Sequence, residues 1–243
     1  RFALAEAEAA YTVVGGSEPS LGILLSYRGA EEVPDAAVRA QSVTLPAAGH
    51  RRPLASAPAV AFIGSGNYAT ATLIPAFKSG GARLAAVASA AGVSGTHAGR
   101  KYGFAEATTD SASLFTNPTI DAVVVTTRHD SHARFVDEAL KTGKHVFVEK
   151  PMCLTIDELD AIAAEYARAQ ASGRAPVVMI GFNRRFAPHV RRIKSLLAGA
   201  TGAKALVMTV NAGAIPADHW TQDRAVGGGR VVGEACHFID LLR

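Results

Sequence analysis

From Ala59 onward the chain alternates short apolar runs with longer amphipathic stretches. The runs Val60–Ile63, Leu84–Ala88, Ala122–Thr126, Val146–Glu149 and Val177–Ile180 show no polar alternation. That pattern predicts parallel strands covered on both faces. Helical stretches lie between them, at about 67–78, 96–102 and 131–142, with a fourth starting near Leu154. Thr155 and Glu158 have the spacing of a capping box at the start of that fourth helix. A short extended piece at 107–109 and a helical turn at 111–115 complete the series. Repeated β-α units predict an α/β fold with a right-handed, doubly wound parallel sheet.

The flanks read differently. Residues 1–30 carry a helical pattern (Phe2 to Val14), a Gly-Ser-Glu-Pro break and an apolar strand, Leu21–Ser26. Residues 31–57 are Ala, Pro and scattered charges without periodicity, which predicts a linker. The wound unit is expected over 58–181. Beyond it come a helix, Pro188–Leu197, a strand, Lys204–Val210, a glycine turn, Gly227-Gly228-Gly229, and a final helix. Residues 182–243 therefore read as the start of a second, α+β domain. The sequence begins at Arg1 and stops at Leu241-Leu242-Arg243 inside a predicted helix. We expect a fragment whose second sheet is incomplete, with an unpaired edge that favours aggregation.

At 243 residues the chain is long enough for a sizeable core. Its composition, 49% hydrophobic and 19% charged, is that of a globular protein. No apolar run reaches membrane-spanning length, and no secretory signal pattern opens the chain. A cytoplasmic location is the expectation. The net charge of +4 is spread along the chain. Arg184, Arg185, Arg191, Arg192 and Lys194 form a basic stretch, but without a nucleic-acid motif they read as a solvated helix face. Cys153 and Cys236 stand far apart, which argues against a disulfide framework or a structural zinc.

Chemistry-bearing residues gather where strands end. Ala59-Val-Ala-Phe-Ile-Gly-Ser-Gly-Asn-Tyr-Ala69 is a strand, a glycine turn and a helix start. Gly64 permits a tight turn, Gly66 lets backbone approach a diphosphate, and Ala69 allows close helix–strand packing. The helix start then offers free N–H groups and a positive dipole end to the phosphates. Ser65, Asn67 and Tyr68 belong to this turn, Ser89 follows the second strand, and Thr126, Thr127, Arg128, His129 and His132 follow the fourth. Glu149-Lys150-Pro151 follows the fifth, and an ammonium there is costly to bury unless it has a partner or a task. Proline after Lys150 raises the chance of a cis bond that aims the lysine inward.

A second cluster spans Gly233 to Asp240. At helical spacing Glu234 and Asp240 would both flank His237, making it a carboxylate-held proton acceptor. A core or capping histidine is the equal alternative. Arg184, Trp220 and His219 are candidates for contact with a substrate.

Together these segments resemble the glucose–fructose oxidoreductase/inositol dehydrogenase/MocA family of NAD(P)-dependent oxidoreductases. The carriers are Gly64-Ser-Gly-Asn-Tyr-Ala69, Gly143-Lys-His-Val-Phe-Val-Glu-Lys-Pro151, Gly181-Phe-Asn-Arg-Arg-Phe186 and Gly227-Gly-Gly through His237. The resemblance implies a Rossmann-type domain binding NAD or NADP, followed by an α+β substrate domain. It implies that Lys150 contacts the reacting hydroxyl and the nicotinamide ribose, and that His237 is the acid/base. The substrate would be a sugar, nucleotide sugar or polyol, and the full-length protein a homo-oligomer. Residues 1–30 resemble the end of a medium-chain, zinc-alcohol-dehydrogenase-like domain, whose zinc ligands would lie upstream.

Two departures from that family stand out. Ser89 occupies the place of an acidic ribose-binding residue, so NADP becomes admissible, with Arg100 or Lys101 as sources of charge. Gly233 stands where an aspartate four residues before the histidine is usual. That second departure keeps open a non-catalytic dinucleotide-binding module of a larger fusion. A short-chain-type dehydrogenase is disfavoured, since no tyrosine has a lysine four residues later.

Overall fold

The computed structural model describes residues 1–16, 19–29, 34–46, 57–174 and 176–243. They form two compact units, Arg1–Gln41 and Ser42–Arg243. In the first, strand β1 (Phe2–Ala3) leads through a 3₁₀ turn into helix α1 (Ala7–Gly15), and β1 pairs in parallel with β2 (Leu25–Ser26). The expected helix from Phe2 therefore starts as a strand, and the expected strand from Leu21 shrinks to two residues. Helix α2 is a single turn, Asp35–Val38.

The second unit is built on a seven-stranded sheet. Its strands are β3 (Ser42–Thr44), β4 (Ala59–Ile63), β5 (Arg83–Ala88), β6 (Glu106–Thr108), β7 (Ala122–Val125), β8 (His145–Val148) and β9 (Val178–Ile180). The order is β3-β6-β5-β4-β7-β8-β9, and only β3 runs antiparallel. From β6 to β9 this is the doubly wound 3-2-1-4-5-6 arrangement, whose order reverses at β4. β3 corrects the linker expectation. Three residues of the supposed linker add an edge strand to β6, and Leu45 just after them is buried in the core.

Helices cover both faces. They are α3 (Ile74–Ser79), α4 (Val93–Tyr102), α5 (Ala112–Thr116), α6 (His132–Lys141) and α7 (Ile156–Ala171). One core places Val123, Val125, Phe135, Val136, Leu140 and Ile162 between the sheet, α6 and α7. On the other face Phe62 meets Phe77 and Phe104 edge-on, at 5.5 and 5.8 Å between ring centres. Every residue of β4 is buried, which is why its sequence is apolar without alternation. Thr155 accepts the Glu158 N–H, and the Glu158 carboxylate accepts the Thr155 N–H, so α7 opens on the capping box.

The remainder is sparser. Pro188 begins α8 (Pro188–Leu197), its fixed φ suiting the first helical position. Lys204–Val210 forms no strand. Its residues are exposed and no described strand lies beside them to complete a ladder. The last helix begins as a π turn, Val231–Ala235, and continues as α9 (Cys236–Leu242). The helix after β4 likewise contains a π turn, Ala69–Leu73, before α3. No described helix is long and apolar enough to cross a membrane.

Candidate functional site

Four loops meet beyond the carboxyl ends of β4, β7, β8 and β9, where the sheet reverses its order. The first is the glycine turn. Gly64 has φ of +103°, and a Cβ there would lie 2.8 Å from the Thr126 carbonyl carbon and oxygen. The turn is thus seated on the end of β7, and the Thr126 hydroxyl donates to the Gly64 carbonyl at 3.0 Å. Gly66 is different, because a Cβ built on it meets nothing within 4 Å. It faces open space at the start of a helix whose first N–H groups lack intrahelical acceptors.

These features test the fit of a dinucleotide. A bare backbone over open space, at a helix N-terminus and at the sheet's switch point, is what a diphosphate requires. The residues present fit the group. Gly64, Ser65, Gly66 and Asn67 would hold it. Thr126 would contribute by fixing the turn rather than by touching the ligand.

Ser89 supports α4 instead of reaching outward. Its hydroxyl accepts the Gly95 N–H at 3.0 Å, and Gly95 has no room for a Cβ against that oxygen. Ser65 and Ser94 join hydroxyls at 3.0 Å beside it. Arg100 and Lys101 occupy the last turn of α4, the end away from Ser89. The expectation that they supply charge there is corrected by the helix direction.

The loop after β7 carries a second correction. His132 is fully buried, with Nδ1 2.7 Å from the Pro151 carbonyl and Nε2 3.0 Å from that of Thr127. Burial lowers its pKa, although both carbonyls pull the other way. As a neutral ring it donates to one of these carbonyls at a time, and from its buried position it pins the loop after β7 to the loop after β8. His132→Ala should cost roughly 2–4 kcal/mol, as a buried side chain and its hydrogen bonds are lost. A denaturant midpoint that does not move would refute this role. Thr127 shares a hydrogen bond with Ser131 at 2.6 Å, and Ser131 caps α6 by position alone, its hydroxyl donating to the Arg128 carbonyl.

The neighbouring His129, which also follows this strand, takes a structural role. Its buried ring lies 2.9 Å from the Gly227 carbonyl and packs edge-on against Trp220, with 4.9 Å between ring centres. The Arg128 guanidinium stacks over the same indole. Trp220 therefore docks the glycine-rich segment onto the loop after β7, and lines no part of the central cavity. His219 is likewise spent locally, bonded to Thr221.

That central cavity, about 680 Å³, is lined by residues including Tyr68, Glu149, Lys150, Asn183, Arg184 and His237. A cis Lys150–Pro151 bond follows β8. The Lys150 ammonium donates to the Gly233 carbonyl at 2.6 Å. Tyr68 accepts the Asn183 amide at 2.6 Å, joining the glycine-turn helix to the 3₁₀ turn Asn183–Phe186. Asn183 was missed as a site residue although its motif was noted. Arg184 lies at the rim, stacked on Phe238.

His237 is 8% exposed and its Nδ1 has no hydrogen-bond partner. Burial, then the Lys150 and Arg184 cations, hold its pKa at about 4, so it is a neutral imidazole at pH 7. The expected carboxylate brace is absent. Glu234 pairs with Arg230, and Asp240 with Arg185. The cause is the π turn, which widens the helix between 231 and 235 and breaks the three-residue stacking assumed for Glu234. Glu149 is the other unpartnered group: its Oε1 is buried against Gly181, and burial lifts its pKa to about 7 against the opposing pull of Lys150.

A glycine turn over open backbone, at the switch point of a wound sheet, is the geometry of a dinucleotide-binding Rossmann-type domain. Residues 59–173 match the model of the oxidoreductase family with an NAD-binding Rossmann fold that includes the glucose–fructose oxidoreductases, inositol dehydrogenases and MocA. Relatives include myo-inositol 2-dehydrogenase of Thermotoga maritima, 29% identical over 59% of this chain and 41% of that protein. A solved levoglucosan dehydrogenase in complex with NADH superposes with a TM-score of 0.63, at 25% identity over 77% of this chain and 53% of the other. The myo-inositol dehydrogenase of Lactobacillus casei, in complex with NAD(H) and myo-inositol, gives 0.54 and 30% over 60% and 43%. The chain thus spans about half the length of the relatives it matches.

Proposed function

We propose that this chain contributes the cofactor domain and part of the substrate site of an NAD(P)-dependent oxidoreductase. It would move a hydride between a nicotinamide and the hydroxyl or keto carbon of a sugar, nucleotide sugar or polyol. The observation that carries the reading is one cavity holding both Lys150 and an unpartnered, neutral His237, beside a glycine turn suited to a dinucleotide. When bound, the nicotinamide supplies the hydride acceptor or donor. The chain's residues handle the proton. Lys150 lowers the pKa of a substrate hydroxyl beside it, and neutral His237 accepts the proton that hydroxyl releases. Tyr68, Asn183 and Arg184 offer hydrogen bonds to a polyhydroxylated ligand.

The relatives named for inositol and levoglucosan favour a sugar-like substrate. Residues 1–30 fit the same proposal as the junction with an upstream oxidoreductase module, since they fall within a small separate unit, Arg1–Gln41. A cytoplasmic, homo-oligomeric parent belongs to this reading too. The test is a titration with NADH and with NADPH, followed by nicotinamide fluorescence, then turnover with a panel of polyols and sugars. Saturable binding of either coenzyme, with turnover of a panel alcohol, is expected. Binding without hydride transfer to any alcohol would instead favour a non-catalytic dinucleotide module.

A further inference from the structure

The Lys150 ammonium is bonded to the Gly233 carbonyl at 2.6 Å. A cation held by a backbone carbonyl is placed only as well as that carbonyl, so whatever supports Gly233 decides where the ammonium lies. Gly233 is buried within the π turn Val231–Ala235. A Cβ on it would lie 2.9 Å from the Gly227 carbonyl oxygen and 3.3 Å from His129 Cε1. Both neighbours lead to one residue. His129 Nδ1 is 2.9 Å from the same Gly227 oxygen, and because a carbonyl only accepts, Nδ1 carries the proton. The imidazole therefore fills the space beside Gly233 and also holds the carbonyl on which Gly233 rests.

We propose that His129 is a positioning residue of this site, setting the place of the Gly233 carbonyl and through it that of the Lys150 ammonium. The use made of that placement rests on the oxidoreductase reading. The ring is itself immobilised, buried and edge-on against Trp220. Beside it the Asp130 N–H donates to the Val226 carbonyl at 3.1 Å, tying the same two segments a second time. His129 stands just beyond β7 and Lys150 just beyond β8, adjacent strands of the sheet. The carbonyl is thus fixed from one strand end and the ammonium from the next. A polarising cation has to be placed to a fraction of an ångström, and rigid support of this kind supplies that precision.

The charge state suits the task. Burial lowers the His129 pKa, outweighing the Gly227 carbonyl, and His132 and the Lys150 cation lower it further. A neutral ring holds the turn without setting a second positive charge beside the ammonium.

The experiment reads the reactivity of the Lys150 amine by trace acetylation with acetic anhydride and mass spectrometry, on the purified chain without coenzyme. Lys144, bonded to the Asn117 and Ile120 carbonyls at the opposite end of β8, is the internal reference. His129→Phe keeps an aromatic ring between Trp220 and Gly233 but removes the donor to Gly227. His129→Asn returns a donor near the place of Nδ1. The phenylalanine variant should acetylate at Lys150 about 5- to 10-fold faster, with Lys144 unchanged. Its kcat for the alcohol that gives turnover should fall roughly 10- to 100-fold, with NADH affinity within about two-fold of wild type. The asparagine variant should recover most of both. Gly233→Ala, whose added carbon presses on the Gly227 oxygen and the imidazole, should release Lys150 in the same way. Lys150 reactivity unaltered in both His129→Phe and Gly233→Ala overturns the proposal. A parallel rise at Lys144 does so too, since it marks a general loosening of the fold. Acetylation needs no coenzyme, so a wild type that binds neither NADH nor NADPH would sink the oxidoreductase reading and leave this result standing.

Discussion

Lys150→Met is expected to abolish measurable turnover, by roughly 10³-fold or more, while changing NADH affinity by no more than a few-fold. Methionine keeps the length and apolar character of the stem, so the cavity wall persists. The ammonium is what disappears. In the structure that ammonium is held against the Gly233 carbonyl, between the loop after β8 and the final helix. A cation so placed stabilises the alkoxide that forms as a hydroxyl gives up its proton, an interaction strongest in the transition state. Its removal should therefore fall on kcat. Lys150→Arg should not rescue, because a planar guanidinium cannot occupy a site shaped for a compact point charge. Because Lys150 also depresses the His237 pKa, the methionine variant should show that histidine titrating closer to its ordinary value by proton NMR. Turnover of Lys150→Met within ten-fold of wild type would remove the lysine from the mechanism.

The two titrating groups also pull stability in opposite directions with pH. His237 is held below the ordinary histidine value, so its neutral buried form contributes fully above pH 6.5 and that contribution is lost as pH falls towards 4. Glu149 is raised, so its contribution is fully present below 4.5 and lost as pH rises through about 7. Stability that the carboxyl gives up on the alkaline side is the cost of keeping it in the cavity, a common pattern at functional sites.

What the sequence revealed, and what it concealed, follows from how local each signal is. β4, β7 and β8 are legible because a strand covered on both faces must be apolar at every position. The Glu158 capping box and the start of α8 at Pro188 are likewise written in neighbouring residues. β3 was hidden because three residues, Ser42-Val43-Thr44, carry no period, and only pairing with β6 makes them a strand. Lys204–Val210 misled in the reverse sense: its composition suits a strand, but no described partner completes a ladder. At the site, Lys150, Glu149 and the glycine turn were recognisable from strand ends. The surroundings of His237 were not, because Arg230 and Arg185 take up Glu234 and Asp240, and no residue type announces the π turn at 231–235 that alters the helical spacing. The burial of His132 was hidden for a related reason: the carbonyls beside its ring nitrogens lie nineteen and five residues away, at Pro151 and Thr127.

The glycine turn gives the clearest separation of folding from binding, since its two glycines serve different ends. Gly64→Val should destabilise the protein by roughly 3 kcal/mol or more. The positive φ alone costs about 1–2 kcal/mol for a residue with a Cβ. The added carbon would also meet the Thr126 backbone at 2.8 Å, and backbone at the end of β7 cannot yield without disturbing the centre of the sheet. Gly66→Ala should leave the melting temperature within a degree or two, because its φ is not positive and its Cβ would meet no protein atom within 4 Å. Its methyl instead occupies the space over which a diphosphate would lie. NADH affinity should weaken roughly 10- to 100-fold, the loss expected when backbone can no longer approach the phosphates closely. Thermal melts and nicotinamide fluorescence on the two variants read the outcomes independently. If Gly66→Ala bound NADH as tightly as wild type, the diphosphate would have to lie elsewhere, and the open backbone at Gly66 would lose its assigned purpose.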